Sequence, residues 1–349
     1  MHHPLMQLKK RVLAALKAPY PLGTLMLDGQ PCVAFSTEDH GPVMLAAPPY
    51  VEVTRIASGP GGCMALVEEG RELYAIMGCF PGYKFQTGAI WRLSREAARW
   101  IPSKIADLPF AHRIDFVTRG GTRCLLAASL AADKADPADW STPGRLYACV
   151  VPRRPGESWE LVPVLEGIHR NHGLLVTSFM GRPSVLVAGT EGLFAADLGQ
   201  SGSTWGFNRI LEEEISEVAV ADVDGDGKDE LVTIQPFHGN SLRVYTMGPG
   251  GWTKAWEGEL EFGHGLTTGT LGGVASILVS NRAGSRDLLL FQFPRRDAGR
   301  AGRLAEPLRS VVDPGAGAAN MLILSHAGVE RIFATNQAAG EIAEYRAVP

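Results

Sequence analysis

The chain of 349 residues is 45% hydrophobic and 20% charged, a composition typical of a soluble globular protein and unlike that of a disordered one. Its formal net charge of -4 and the absence of a long basic run exclude a broad nucleic-acid-binding surface. No apolar stretch approaches the roughly 18 residues of a membrane-spanning helix. We therefore expect no nucleic-acid or membrane partner, and a cytoplasmic location.

The N-terminal residues 5–18 mix apolar side chains with Lys9, Lys10 and Arg11 and predict one short amphipathic helix. The apolar run from Val12 to Leu16 is interrupted by Lys17 and is too short for a secretory signal peptide.

The rest of the chain predicts many short strands, because its 41 Gly and 23 Pro recur at short intervals as turn residues. Seven segments share one frame, in which an apolar strand, a small-residue turn and a second apolar strand follow one another. They start at Tyr20, Cys63, His112, His172, Glu217, His264 and Asn320. Intervals of 43 to 60 residues suit units of four short antiparallel strands. The sequence thus predicts an all-β, seven-bladed β-propeller that forms a single domain over residues 1–349, with a pair of β-sandwiches as the alternative.

The five cysteines are odd in number, lie mostly in apolar contexts and form no CxxC pair. We expect them to be reduced thiols in the core.

Four consecutive repeats begin with His112, His172, Glu217 and His264. Since the first strand of each blade lines the channel of a propeller, residues at equivalent positions are expected to converge. Three imidazoles and one carboxylate are ligands for a divalent transition metal, with zinc favoured and manganese, iron or nickel as alternatives. His169 is a substitute for His172 as a ligand, or a group that supports it. Without a metal, these histidines would form hydrogen bonds in a wet channel.

An acidic turn, DVDGDGKDEL, places Asp222, Asp224 and Asp226 at alternate positions. This spacing can surround a structural calcium ion with oxygen ligands. The alternative is a tight hairpin in which the aspartates bond to their own backbone and the glycines supply positive φ.

Loops after the second strands are expected at the same end of the channel as the histidines, and they carry the other candidate site residues. The candidate catalytic residues are His40, His238, Tyr83 and Lys84. The candidate substrate-binding residues are Gln86, Trp140, Asn281, Arg282, Asn336 and Gln337. Such a polar and aromatic rim suits a small carbohydrate.

The turn DVDGDGKDEL, with the weaker GRPSVLVAG and GGVASILVSN copies, resembles the FG-GAP or VCBS type of β-propeller. With the histidine-led strands AHRIDF, NHGLLV and GHGLTT, the chain also resembles the propeller part of the aldos-2-ulose dehydratases. That resemblance implies a metal-dependent lyase that dehydrates, and in some cases isomerises, a keto-sugar. His40 or His238 would then remove a proton and Tyr83 or Lys84 would protonate the departing oxygen. A non-catalytic FG-GAP-type binding propeller and a metal-dependent hydrolase or lactonase are the alternatives.

Overall fold

The computed structural model of the chain describes residues 7–80, 85–97, 99–154, 157–199, 204–295 and 304–347. These residues form seven antiparallel sheets of four strands each. The predicted all-β, seven-bladed β-propeller with four-stranded blades is therefore confirmed. Each blade begins within two residues of its predicted start, at Pro19, Ala65, Ala111, Gly173, Glu217, Gly263 and Ala318.

The chain divides into two compact units. Residues 20–216 form the four-blade unit, and residues 1–19 with 217–349 form the three-blade unit. The single domain over residues 1–349 stays a prediction.

The four-blade unit contains blades one to four, in which the strands of each sheet follow chain order. The first two blades consist of β2 (Pro19–Leu27), β3 (Gln30–Thr37), β4 (Val43–Ala46) and β5 (Val53–Ala57), then β6 (Ala65–Glu69), β7 (Glu72–Met77), β8 (Ala89–Glu96) and β9 (Arg99–Asp107), with a 3-10 turn at Phe85–Thr87. The next two consist of β10 (Ala111–Arg119), β11 (Thr122–Ser129), β12 (Gly144–Val150) and β13 (Val162–Ile168), then β14 (Gly173–Phe179), β15 (Arg182–Gly189), β16 (Gly192–Asp197) and β17 (Asn208–Leu211).

The three-blade unit contains blades five to seven. Blades five and six consist of β18 (Glu217–Ala221), β19 (Glu230–Gln235), β20 (Ser241–Gly248) and β21 (Gly251–Glu259), then β22 (Gly263–Leu271), β23 (Val274–Asn281), β24 (Leu288–Gln292) and β25 (Leu308–Asp313). Blade seven consists of β26 (Ala318–His326), β27 (Val329–Asn336) and β28 (Glu341–Ala347), with β1 (Leu8–Ala15) as its outer strand.

The predicted N-terminal helix is wrong, because most of its described residues form β1. This strand pairs antiparallel with β28, from Leu8 opposite Ala347 to Ala15 opposite Glu341. A helix of this length is marginal in water without tertiary support, and pairing with an open sheet edge satisfies the same backbone groups. The partner strand lies at the other end of the sequence, so the local residue pattern could not reveal it.

The core consists of apolar side chains packed between consecutive blades within each unit. Second strands are the most buried, as in β15, where Val185, Leu186 and Val187 are all fully buried. Continuous apolar runs of this kind form strands that are covered on both faces. The packing between blades holds the first strands, and the side chains at their starts, in fixed positions.

All five cysteines are free and buried, as predicted. Within the described ranges, the chain contains no helix with the length and apolar character needed to cross a bilayer.

Candidate functional site

Strand pairing gives three buried histidines the same position in their blades. Their first and second strands meet at two-residue turns flanked by the pairs Arg119–Thr122, Phe179–Arg182 and Leu271–Val274. His112, His172 and His264 each precede the first residue of their pair by seven positions. These histidines are 3%, 1% and 1% exposed, respectively. We refer to this location as the histidine position.

In blade seven the register differs by one residue from the predicted frame. His326 pairs with Val329 across the equivalent turn, and Asn320 precedes His326 by only six positions. Ala319 therefore holds the histidine position of this blade.

The predicted ligand Glu217 is also one residue away from the histidine position. It pairs with Ile234, the next-to-last residue of β19, as Gly173 pairs with Ala188, the next-to-last residue of β15. Ser216 thus corresponds to the histidine, and Glu217 to the residue that follows it. Successive side chains of a strand point to opposite faces of the sheet. A shift of one residue therefore turns the Glu217 carboxylate to the face opposite that of a side chain at the histidine position.

His172 and His264 share a contact that fixes their tautomer. Nδ1 of His172 lies 3.3 Å from the carbonyl oxygen of Ser216, and Nδ1 of His264 lies 2.9 Å from that of Ala319. Because a carbonyl oxygen only accepts, each Nδ1 must carry a proton and donate it. This tautomer places the ring's lone pair on Nε2, as in metal-binding histidines that are oriented through Nδ1. Ser216 and Ala319 each hold the histidine position of the blade that follows in the sequence. Both histidines therefore donate to the backbone carbonyl at the equivalent position of the next blade.

Within the four-blade unit, His112 lies between Tyr20 and His172. The Tyr20 hydroxyl is 3.1 Å from Nε2 of His112, and both residues are buried. The ring centroids of His112 and His172 are 4.2 Å apart. Sequence reasoning did not select Tyr20 as a site residue, although it precedes Leu27, the end of its strand, by seven positions. The repeat frame was the signal that could have found it.

Within the three-blade unit, His238 lies beside His264. Their ring centroids are 4.9 Å apart. Phe237 stacks on His238 at 4.0 Å, and Phe262 lies 5.0 Å from it. The backbone of His238 has a φ of 47°, a left-handed conformation that few non-glycine residues adopt. Aromatic packing on this strained loop residue holds an imidazole close to a buried histidine, where it can accept a proton or bind a metal.

Two further loop candidates, His40 and Gln86, are described in the first two blades. His40 is exposed and stacks on Phe80 with 4.2 Å between ring centroids. Gln86 is exposed in the 3-10 turn. Tyr83 and Lys84 lie outside the described residues.

Trp140 belongs to a structured loop between β11 and β12. The Lys134 ammonium lies 3.3 Å from the centroid of the Trp140 ring and donates to the carbonyl of Pro137 at 2.8 Å. Burial lowers the pKa of Lys134. Asp139 accepts backbone N–H groups of Ala135 and Ser141, and these bonds hold its pKa at about 2. The loop therefore presents a half-buried indole on a fixed frame.

The amide candidates support their own blades. Asn281 is buried and accepts the backbone N–H of Glu261 at 2.9 Å. Asn336 is fully buried and donates to the hydroxyl of Tyr345 at 2.7 Å and to a carboxylate oxygen of Glu341 at 2.9 Å. These contacts favour structural roles for both amides. Arg282 and Gln337, which follow them in sequence, are half-buried.

His169 differs from His172 in its partners. Nδ1 of His169 lies 2.6 Å from a carboxylate oxygen of Glu191, which also accepts the backbone N–H of His169 through its other oxygen at 2.8 Å. The His169 side chain is 35% exposed. Between the two, His172 has the burial and the tautomer of a buried metal ligand.

The acidic turn joins β18 to β19, as the sequence predicts. Asp222 accepts the backbone N–H groups of Asp226 and Gly227, each at 3.0 Å. Asp226 in turn accepts the backbone N–H of Lys228 at 2.9 Å. These bonds form the self-supporting hairpin of the structural interpretation.

The same turn also has a donor set that fits calcium. One carboxylate oxygen from each of Asp222, Asp224 and Asp226 lies within 4.8 Å of the others. Burial, and then the charges of these aspartates, raise the pKa of the adjacent Glu230 to about 8. A bound cation would offset this concentration of negative charge. The residues of the turn are therefore compatible both with a calcium site and with a hairpin that holds no metal.

Comparison with family models identifies a repeat in the fifth blade. Residues 216–247, which contain the acidic turn, match the family model described as FG-GAP repeat. A search of curated proteins found no match. Together with the seven four-stranded blades, the repeat match supports an FG-GAP-type β-propeller.

Proposed function

We propose that the protein is a metal-dependent lyase that removes water from a carbonyl-bearing carbohydrate. The observation that supports this most is the repeated Nδ1–H donation by His172 and His264 to backbone carbonyls. Buried histidines with this tautomer are suited to bind zinc through Nε2, and manganese, iron and nickel accept the same nitrogen donor. We propose His172 and His264 as ligands, with His112, which holds the same position in its blade, as a third. Glu217, one residue away from that position, is the fourth group that the sequence predicts.

A bound divalent metal would supply Lewis acidity to a carbonyl or hydroxyl oxygen of the sugar. The protein would supply the proton transfers. His238, held by Phe237 and Phe262, would take the proton from the carbon next to the carbonyl, and the resulting electron pair would form a double bond as the neighbouring hydroxyl departs. Tyr83 or Lys84 is the proposed donor of the proton that converts this hydroxyl to water, and His40 is the second candidate base.

The carbohydrate substrate class is supported by Trp140. An indole held at a fixed angle offers an apolar face to sugar C–H groups, and the surrounding loop offers polar groups to hydroxyls. The Lys134 ammonium lies 3.3 Å from the ring centroid, and this cation–π contact restricts the orientation of the indole in the unbound protein.

The experiment begins with elemental analysis of untagged protein after dialysis. We expect close to one equivalent of transition metal in the wild type, and its loss in the His172→Ala and His264→Ala variants. His326→Ala, at the other end of the first strand of blade seven, is the matched control and should keep its metal. A screen of keto-sugars for new ultraviolet absorbance should then detect the unsaturated product, with turnover lost in both metal-site variants. Full turnover by metal-free protein would contradict the proposal.

A non-catalytic binding propeller is the second candidate, and the FG-GAP match favours it. Such a protein needs no stoichiometric metal at its histidines. Metal-free wild-type protein that binds a carbohydrate without converting it would support this candidate over the lyase.

A further inference from the structure

A large groove lies at the end of the third blade, away from the histidines. It has a volume of about 1560 Å³, and its described lining residues run from Arg119 to Trp205, all within the four-blade unit. Arg119 on its rim is seven residues along β10 from His112, about 23 Å in an extended strand. The groove is therefore separate from the histidine cluster.

The groove forms where the outer strand of the blade stops short of its neighbour. The pairing of β12 with β13 ends at Ala148 opposite Val162, whereas β12 continues through Cys149 to Val150. Among the described strands, β13 is the outermost of this sheet. Two residues of β12 thus extend beyond this pairing, where the backbone of Glu160 approaches the buried Cys149 thiol and the exposed Val150 follows. An extended chain can pair through backbone hydrogen bonds with an edge strand such as β13.

Apolar side chains line this part of the groove. Val150 is 60% exposed and Val162 is 56% exposed. The wall between them is completed by Val151, Pro152, Pro163 and Val164. Contiguous exposed apolar surface with a polar rim is typical of a binding surface.

The rim is basic. Arg153 and Arg154 are exposed, and neither guanidinium forms an ion pair with a carboxylate of the described residues. The neighbouring carboxylate of Glu157 accepts the backbone N–H groups of these two arginines, at 3.0 and 3.3 Å. Arg119 adds a third cation, which lies 4.7 Å from the centroid of the Trp205 ring. Two arginine side chains are therefore available to carboxylates of a ligand.

We propose that this groove binds an extended acidic peptide segment of a partner protein, whose aliphatic side chains cover the valines and whose carboxylates pair with Arg153 and Arg154. The volume of the groove exceeds the roughly 300–1,000 Å³ of small-molecule sites, which favours a peptide over a small molecule as the ligand. A second copy of this protein is disfavoured, since symmetric pairing of the same edge would bring the basic rims together. The inference does not depend on the metal or on the lyase activity.

The test uses the full-length protein and a labelled ten-residue peptide that alternates valine with glutamate. We expect saturable binding by fluorescence anisotropy that weakens as salt rises. The double variant Arg153→Glu/Arg154→Glu should lose at least tenfold in affinity, and Val162→Asp a similar factor. The control Arg55→Glu/Arg99→Glu makes the same charge change on exposed residues of other blades in the same unit, and should bind the peptide as the wild type does.

Three results would overturn the proposal. The first is no saturable binding of the glutamate peptide by folded wild-type protein. The second is equal binding of a peptide with lysine in place of glutamate. The third is self-association of the protein that Val162→Asp abolishes, since this would assign the edge to a second copy. Thermal unfolding of each variant shows that a loss of binding does not reflect a loss of fold.

Discussion

The Nδ1–H group of His264 donates a hydrogen bond of 2.9 Å to the carbonyl oxygen of Ala319. This contact ties one edge of the ring to the fold, whereas the proposed metal ligand is the other ring nitrogen, Nε2. The structural role and the proposed ligand role of His264 therefore belong to different atoms, and substitutions can separate them.

His264→Asn should keep the fold and lose the metal. The asparagine amide can place an N–H near the position of Nδ1 and so retain the bond to Ala319, but it has no group at the position of Nε2. His264→Ala loses both, and leaves a buried carbonyl without its donor at a cost of about 1–3 kcal/mol. Urea unfolding and metal analysis of both variants check this expectation. Equal metal content in His264→Asn and wild type would remove His264 from the ligand set.

Asp115 on β10 gives a prediction for pH. Burial raises the pKa of its carboxyl from 3.8 to about 6. The folded state thus binds this proton more tightly than the unfolded state, so the stabilising contribution is complete below about pH 4 and is lost as the pH rises through about 6. Asp115→Asn has no charge to bury and keeps an oxygen that can accept the backbone N–H of Phe116. We expect the variant to exceed wild type in unfolding free energy by about 2 kcal/mol at pH 7 and to equal it at pH 4.

The measurement is a series of urea unfolding curves between pH 4 and 7. Asp107→Asn is the matched control, because the Asp107 side chain is 72% exposed and pairs with Lys104 at the surface. Its effect should stay within about 0.5 kcal/mol at each pH. A difference between Asp115→Asn and wild type that does not vary with pH would contradict the assignment.

The fold was predictable from the sequence because blades are local units. Each blade starts and turns within a short segment, so apolar runs and glycine turns locate it, and the histidine position recurs seven residues before three of the turns. The register of Glu217 was not predictable in this way. The acidic turn after β18 is longer than the two-residue turns of the other blades, so the length of the repeat does not fix the position of Glu217 to within one residue.

Contacts between distant segments were the part that sequence reasoning missed. β1 pairs with a strand more than 300 residues later, and Tyr20 meets His112 across 92 residues. His238 stacks on Phe237 and has a left-handed backbone conformation, which no residue pattern in the sequence predicts. Asn281 and Asn336 look like polar loop residues in the sequence, yet they are buried by the strands that they terminate.

Glu344 on β28 should be among the most sensitive residues of the three-blade unit. Its side chain is fully buried and lies 3.0 Å from Nε of Arg331, 2.5 Å from a guanidinium nitrogen of Arg11, and 3.6 Å from Nε of Arg346. Glu344→Ala removes a carboxylate that these three cations share, and we expect a loss of about 3–5 kcal/mol in unfolding free energy.

Arg11→Ala should cost less than Glu344→Ala, because Arg331 still neutralises the carboxylate. It should nevertheless weaken the attachment of β1, which hydrogen exchange of β1 and β28 can detect. Lys9→Ala, an exposed substitution two residues away on the same strand, is the control and should leave exchange unchanged. Equal exchange in Arg11→Ala and Lys9→Ala would show that this ion pair does not hold the strand.

Gly227 in the acidic turn gives the last prediction. Its φ is 87°, and no atom lies within 4 Å of the position that a Cβ would take. Gly227→Ala therefore meets no clash, and its cost comes from backbone conformation alone, about 1–2 kcal/mol. Gly250→Ala is the control, since Gly250 has equally open surroundings and is not in the positive-φ region. Because Gly227 N–H donates to Asp222, a larger loss than this, with Gly250→Ala unaffected, would mean that the substitution also breaks the aspartate bonds that organise the turn.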